Sequence, residues 1–180
     1  MNAGFHTRAI HEGESHIGGA LITPICQTAT FTFKTLEEAK NTIEFALDRE
    51  ATAYAYTRFS NPTHAALEKK IASLENGEAA LVTASGMAAI ATVTFTAMKK
   101  GDHLISAKGI YTSTHSLFSK LPSWGMEVSF VNQTRSSEIA RKIKSKTRLI
   151  FLETPSNPLL DLADIGEIAR IAREAGAQLM

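Results

Sequence analysis

The stretch Thr83-Ala-Ser85-Gly86-Met87 joins an apolar run, Ala79 to Thr83, to a longer run of small and apolar residues that continues to Met98. The first run has the length and β-branching of a buried strand, and the second reads as a helix. A hydroxyl residue and a glycine at a strand-to-helix turn make an anion site. The first backbone N–H groups of the helix have no internal partner, the macrodipole favours negative charge there, and glycine lets the backbone approach closely. The same pair also suits an ordinary βα turn, so other stretches have to decide.

Three other stretches carry residues of suitable chemistry. Tyr54-Ala-Tyr56-Thr-Arg58 spaces a guanidinium two residues from a phenol near a helix start. Such a pair can grip a phosphate, although a surface arginine beside a packed tyrosine looks the same. Lys108-Gly-Ile-Tyr111 follows a strand, at the carboxyl edge where doubly wound sheets hold their ligands. Its ring can stack on a planar ring or simply pack. Glu153-Thr-Pro-Ser-Asn157-Pro158 follows another strand. A carboxylate and an amide there can orient polar ring substituents, and Asn before Pro is also a common turn starter.

These residues need a frame, and the hydrophobic pattern supplies one. Residues 1 to about 34 show no sustained helical or strand period, yet Leu21, Ile22, Ile25, Phe31 and Phe33 argue against disorder. Thr35-Leu-Glu-Glu38 is a capping box that starts a helix through about Leu47. Asn61-Pro62 is a second helix start, with Leu67, Ile71 and Leu74 on one face and Asn76-Gly77 as the stop. Strands at 79–83, 103–107, 127–131 and 148–153 then alternate with helices at about 86–99, 112–121, 136–145 and 162–175. Ile165, Ile168, Ala169 and Ala172 share a face of the last helix, and the closing Ala177 to Met180 reads as the start of another strand. Alternation of this kind predicts an α/β fold with a doubly wound, mostly parallel sheet. A chain that ends inside a strand is expected to be the first part of a larger domain.

Composition narrows the classes of function. The chain of 180 residues is 44% hydrophobic and carries a net charge of +1. That balance makes no electrostatic case for nucleic acid or an anionic membrane as partner. No apolar run reaches the length of a bilayer span, and the N-terminus lacks the apolar core of a signal peptide. Cys26 is the only cysteine, which fits a reducing compartment and a cytoplasmic location; a small, half-buried role suits it better than reactivity. No metal site is expected.

Six blocks, in order, resemble the Cys/Met-metabolism enzymes that depend on pyridoxal 5'-phosphate (PLP). They are Thr7-Arg-Ala-Ile-His, Gly19 to Phe31, Tyr56-Thr-Arg-Phe-Ser-Asn-Pro-Thr63, Leu74-Glu-Asn-Gly-Glu, Ala84-Ser-Gly-Met-Ala-Ala-Ile90 and Phe151 to Pro158. The resemblance implies PLP fold type I, with an N-terminal arm over residues 1–60 that reaches a neighbouring subunit. Residues 61–180 would then be the first part of the PLP-binding large domain. It implies a homotetramer built as a dimer of dimers. It also implies that Ser85, Gly86 and Met87 cradle the cofactor phosphate, that Tyr56 and Arg58 reach the same phosphate from the neighbour, and that Tyr111 stacks on the pyridine ring. Glu153 and Asn157 would lie by the ring substituents, Asn157 near the 3'-oxygen.

The departures matter equally. The family's Schiff-base lysine lies in a Ser-x-Thr-Lys setting, and none of the eleven lysines here does. The family's Asp-Asn-Thr stretch, whose acid pairs with the ring nitrogen, also has no match. The 180 residues alone are therefore expected to be inactive, and a catalytically inactive truncated fragment is the alternative of another class. For the full-length enzyme the resemblance implies trans-sulfuration chemistry, either γ-replacement or γ-elimination on a small sulfur amino acid or O-acylhomoserine. Many cystathionine-processing members carry Arg where Ser116 stands, and methionine γ-lyases commonly carry Cys where Ser113 stands. The loop therefore favours an O-acylhomoserine sulfhydrylase or methionine γ-lyase-like activity, with cystathionine γ-synthase or γ-lyase as the alternative.

Overall fold

A computed structural model describes residues 3–44 and 53–180. The chain divides into two compact units, Met1–Val82 and Thr83–Met180.

The second unit contains the sheet. Its elements are α4 (Gly86–Ala97), β1 (His103–Ala107), α5 (Thr112–Lys120), β2 (Glu127–Val131), α6 (Ser136–Lys142), β3 (Thr147–Phe151), α7 (Ile165–Glu174) and β4 (Gln178–Leu179). The strands run in the order β2-β1-β3-β4, all parallel. All five residues of β1 are buried, as a central parallel strand requires. Neighbours along each strand serve opposite faces. Leu104 and Leu149 pack on one side with Phe118, Leu121 and Met126, while Ile105 and Ile150 pack on the other with Ile139, Ile168 and Ile171. Helices thus cover both faces, and the expected doubly wound α/β architecture is present.

At the amino edge of the sheet, buried His103 ties three strands together. Its Nδ1 lies 2.9 Å from Thr147 Oγ1 on β3, and its Nε2 lies 3.0 Å from Ser129 Oγ on β2. Burial, with Lys144 and Lys142 nearby, holds the imidazole below its ordinary value of 6.5, against the opposing pull of Glu127.

The first unit contains α1 (Phe5–His11), α2 (Leu36–Glu44 as described) and α3 (Pro62–Leu74). Asn61 caps α3 by accepting from the Thr63 N–H at 2.8 Å, with Pro62 in the first turn. Thr35 caps α2 by accepting from the Glu38 N–H, and Glu38 reaches back one residue beyond the cap, to the Lys34 N–H. The expected extension of α2 to Leu47 lies outside the described residues. Segments before α2 fold back onto α3. Arg8 Nη1 donates to the Ser73 carbonyl and to Asn76 Oδ1. Glu14 accepts from Lys70 Nζ and from the Thr23 N–H, both at 2.7 Å. Gly13 sits at φ +75 where an added Cβ would lie 2.4 Å from the Ala66 carbonyl oxygen, so only glycine fits. Half-buried Cys26 donates its N–H to Thr63 Oγ1 at 2.9 Å.

Several expectations need correction. Residues 79–83 form no strand, and Leu81 is exposed. A strand exists by its ladder, and this apolar run has no strand partner among the described residues. The segment read as lacking regular structure contains α1, seven residues long. So short a helix shows no period of its own and is held by α3 instead. The strand expected at 148–153 runs Thr147–Phe151, α6 stops at Lys142, and α7 begins later because Asp164 caps it by accepting from the Glu167 N–H at 2.9 Å. Ile165 is exposed on α7, and Ile171 takes its place on the buried face.

Candidate active site

The topology selects one edge of the sheet. β1 and β3 are neighbours, but the chain leaves β1 toward β2 on one side and leaves β3 toward β4 on the other. Their carboxyl ends flank the point where the winding reverses, the place where open α/β sheets form a ligand crevice. The loops after β1 and β3 carry Tyr111 and Glu153.

A hydrogen bond joins these two loops. The Tyr111 N–H donates to Glu153 Oε2 at 2.8 Å, so the carboxylate is seated at the start of α5. The Tyr111 ring remains half exposed. Gly109, on the same loop, lies against buried Ser156: an added Cβ would come within 3.3 Å of the serine Cβ. One turn into α5, buried Thr114 donates to Met87 Sδ at 3.4 Å and ties α5 to the first turn of α4. Asn157 is exposed, and its side chain makes no hydrogen bond among the described residues.

The first turn of α4 is open. Ser85 adopts extended backbone (φ −163, ψ 162), and its Oγ accepts from the Ala88 N–H at 3.1 Å. The N–H groups of Gly86 and Met87 donate to no group among the described residues. Nothing lies within 4 Å of the Cβ that Gly86 lacks. Two free amides at the positive end of a twelve-residue helix, with clear space beside them, can bind a phosphate or carboxylate. A half-exposed aromatic ring and a seated carboxylate on the neighbouring loops suit a planar, polar ring attached to that anion.

Tyr56 and Arg58 lie in the other unit. Tyr56 forms an isolated antiparallel bridge with Thr30, flanked by bonds from the Phe31 N–H to the Ala55 carbonyl and from the Thr57 N–H to the Ala29 carbonyl. The Arg58 guanidinium sits 4.7 Å from the centre of the Tyr56 ring. The two residues are thus paired by a cation–π contact, and the guanidinium is exposed.

Sequence reasoning missed Gln133, on the loop after β2. It is 3% exposed. Its Nε2 donates to the Glu153 carbonyl at 2.6 Å and to the Asp161 carbonyl at 3.4 Å, and its Oε1 accepts from the Glu153 N–H at 3.2 Å. A neutral amide within Val-Asn-Gln-Thr carries no signal of its own; only its place at the carboxyl end of a strand pointed to it.

Fold and site together define a doubly wound α/β protein with an open helix start, suited to an anion, at Gly86. The chain belongs to the Cys/Met metabolism PLP-dependent enzyme family, which it matches over residues 6–180. It is 42% identical over 171 residues to an L-methionine gamma-lyase of Fusobacterium nucleatum subsp. polymorphum, covering 94% of this chain and 42% of that protein. It is 40% identical over 179 residues to a protein of Herpetosiphon aurantiacus named probable cystathionine gamma-synthase, covering 98% of this chain and 52% of that one. The crystal structure of cystathionine gamma-lyase from Lactobacillus plantarum complexed with L-serine superposes with a TM-score of 0.83 at 35% identity, over 98% of this chain and 44% of that one. The chain therefore spans about half or less of the length of these relatives.

Proposed function

We propose that the chain forms the cofactor-binding part of a PLP-dependent trans-sulfuration enzyme, acting by γ-elimination or γ-replacement on methionine or an O-acylhomoserine. The observation that carries this reading is the pair of free N–H groups at Gly86 and Met87, with Tyr111 and Glu153 joined on the adjacent loops. The residues present suit the cofactor. Gly86, Met87 and Ser85 hold the phosphate, the Tyr111 ring covers one face of the pyridine, and Glu153 and Asn157 meet the ring substituents. Arg58, aligned on Tyr56, adds its charge to the phosphate of a neighbouring subunit in a homo-oligomer, with the segment before α3 reaching across. Bound there, PLP supplies the electron sink that acidifies the carbon next to the substrate's amine. The chain's own part is to bind, orient and shield. A lysine supplied outside these 180 residues completes the site.

Substrate preference rests on α5. Ser113 and Ser116 are exposed there and present no charge to a substrate's distal end. Cystathionine ends in a second, charged amino-acid head group, which a cation would help to hold; methionine and O-acetylhomoserine end in small uncharged groups. The similarity to proteins named L-methionine gamma-lyase supports the same direction. Turnover of the holoenzyme with methionine, with O-acetylhomoserine plus sulfide, and with cystathionine tests it. Higher kcat/KM for either of the first two is expected, and a strong preference for cystathionine overturns it.

A further inference from the structure

Gln133 is buried, uncharged and far from the sequence blocks that carry the family resemblance, yet its side chain makes a complete set of directed bonds. The carboxamide offers two N–H donors and one carbonyl oxygen. Both carbonyls near Nε2 are acceptors, and the group near Oε1 is a donor, so the orientation of the amide is fixed by its partners. The pair of bonds to Glu153 copies what a neighbouring strand would provide. β3 ends at Phe151, and beyond it the side chain of Gln133 takes over as the ladder partner of Glu153.

The third bond gives the arrangement its purpose. Asp161 stands at the far end of the loop that begins at Glu153. Gln133 Nε2 therefore bonds both ends of the segment that contains Asn157. Inside that segment, Ser156 closes a smaller ring: its N–H donates to the Asp161 carbonyl at 3.0 Å, and its Oγ accepts from the Asp161 N–H at 2.9 Å. Thr154 Oγ1 accepts from the Ala163 N–H at 3.0 Å. The loop is tied internally, and among the described residues only Gln133 hydrogen-bonds it to the β2–α6 loop. Glu153 in turn holds the start of α5 through the Tyr111 N–H.

We infer that Gln133 is a positioning residue of the cofactor site: its carboxamide fixes the Glu153–Asp161 loop, and through Glu153 it sets the Tyr111 ring. The inference rests on the proposed function, since it assigns that loop and ring to PLP. Gln133 touches neither substrate nor cofactor, so its effect travels through the backbone of Glu153. Removing the amide leaves the carbonyl and the N–H of Glu153 without these partners and takes from the Asp161 carbonyl one of its two donors, a penalty large enough to misplace the loop.

The test uses the holoenzyme and reads cofactor binding apart from turnover. In Gln133→Met, which keeps the shape and removes the bonds, the PLP dissociation constant rises about tenfold and the visible circular dichroism of bound PLP falls. In Gln133→Glu, a carboxylate faces two carbonyl oxygens, so binding is weak at neutral pH. Relative to the wild type at each pH it recovers as the acid protonates and can donate again to Glu153. This second variant keeps the test decisive if Gln133→Met does not fold. A Gln133→Met protein that melts earlier but keeps the wild-type dissociation constant and dichroism overturns the inference, as does a Gln133→Glu protein without recovery. A wild-type holoenzyme that binds no PLP contradicts the functional reading itself, which separates the two failures.

Discussion

Among the described residues, every buried aliphatic, aromatic or methionine side chain other than Pro62 lies between Met98 and Ala172. The unit ending at Val82 buries only Pro62 of these among the described residues, although it carries Phe5, Ile10, Leu21, Ile22, Ile25 and Leu67, all exposed, with Leu21 at 85%. Its other buried residues among those described are polar: Thr42 and Asn61. One unit is thus organised by apolar burial on two faces of a sheet, the other by side-chain hydrogen bonds onto one helix. Burial is non-directional and sums over many contacts, so it makes a rigid frame from local sequence alone. Polar clasps set a direction but contribute modestly to stability. The residues proposed to act within their own subunit, Gly86, Met87, Tyr111 and Glu153, stand on the buried frame. Those proposed to act on a neighbour, Tyr56 and Arg58, stand on the clasped unit, whose Leu21, Ile22 and Ile25 are exposed.

The largest expected effect separates the two units by substitution. Leu149 is fully buried on β3, and Leu149→Ala costs about 2–5 kcal/mol through lost burial and the cavity left behind. Leu21→Ala on the isolated chain changes stability by less than about 0.5 kcal/mol, as an exposed side chain should. Denaturant melts followed by circular dichroism measure both, and equal losses break the comparison.

Acid sharpens it. His103 is held neutral below its ordinary value of 6.5, so the unfolded chain takes up a proton before the folded sheet does. The stability of the sheet is whole above pH 6.5 and declines as the pH falls below it. Glu14 behaves differently. The Lys70 ammonium, with the Thr23 N–H and hydroxyl, holds its carboxyl down at about 2 from 4.5. Its contribution is present above pH 4.5 and is lost as the pH falls toward 2. Hydrogen exchange at the Ile105 and Thr23 amides should therefore lose protection in that order on acidification. Glu14→Gln should remove the low-pH step at Thr23 and leave Ile105 unchanged; a single shared transition would contradict two separate modes of stabilisation.

The same contrast explains what could be read from sequence. β1 and β2 were legible to the residue because short apolar runs between glycine and helix signals have few other uses. The caps at Thr35 and Asn61 were legible because their chemistry is local. The run at 79–83 was misread for the opposite reason: apolar β-branched residues suit a strand, but pairing depends on a partner elsewhere in the chain. The segment containing α1 was opaque because Arg8 and Glu14 are held by residues more than fifty positions away. In the site, Tyr111 and Glu153 announced themselves as an aromatic and a carboxylate at strand ends. Gln133 did not, since an amide that mimics a backbone carries no pattern in sequence.

The proposed phosphate site lies at the first turn of α4. Ser85 is extended, as a residue before proline must be, and Gly86 occupies the first helical position, where proline is well tolerated. Gly86→Pro therefore keeps the helix and removes one of the two N–H groups assigned to the phosphate. Binding of PLP and of pyridoxal, which lacks the phosphate, is to be measured on the holoenzyme and on this variant. The expected result is a loss of about tenfold in affinity for PLP with little change for pyridoxal, the size of one charge-assisted hydrogen bond. An unchanged ratio between the two ligands would mean that the phosphate does not bind at this turn.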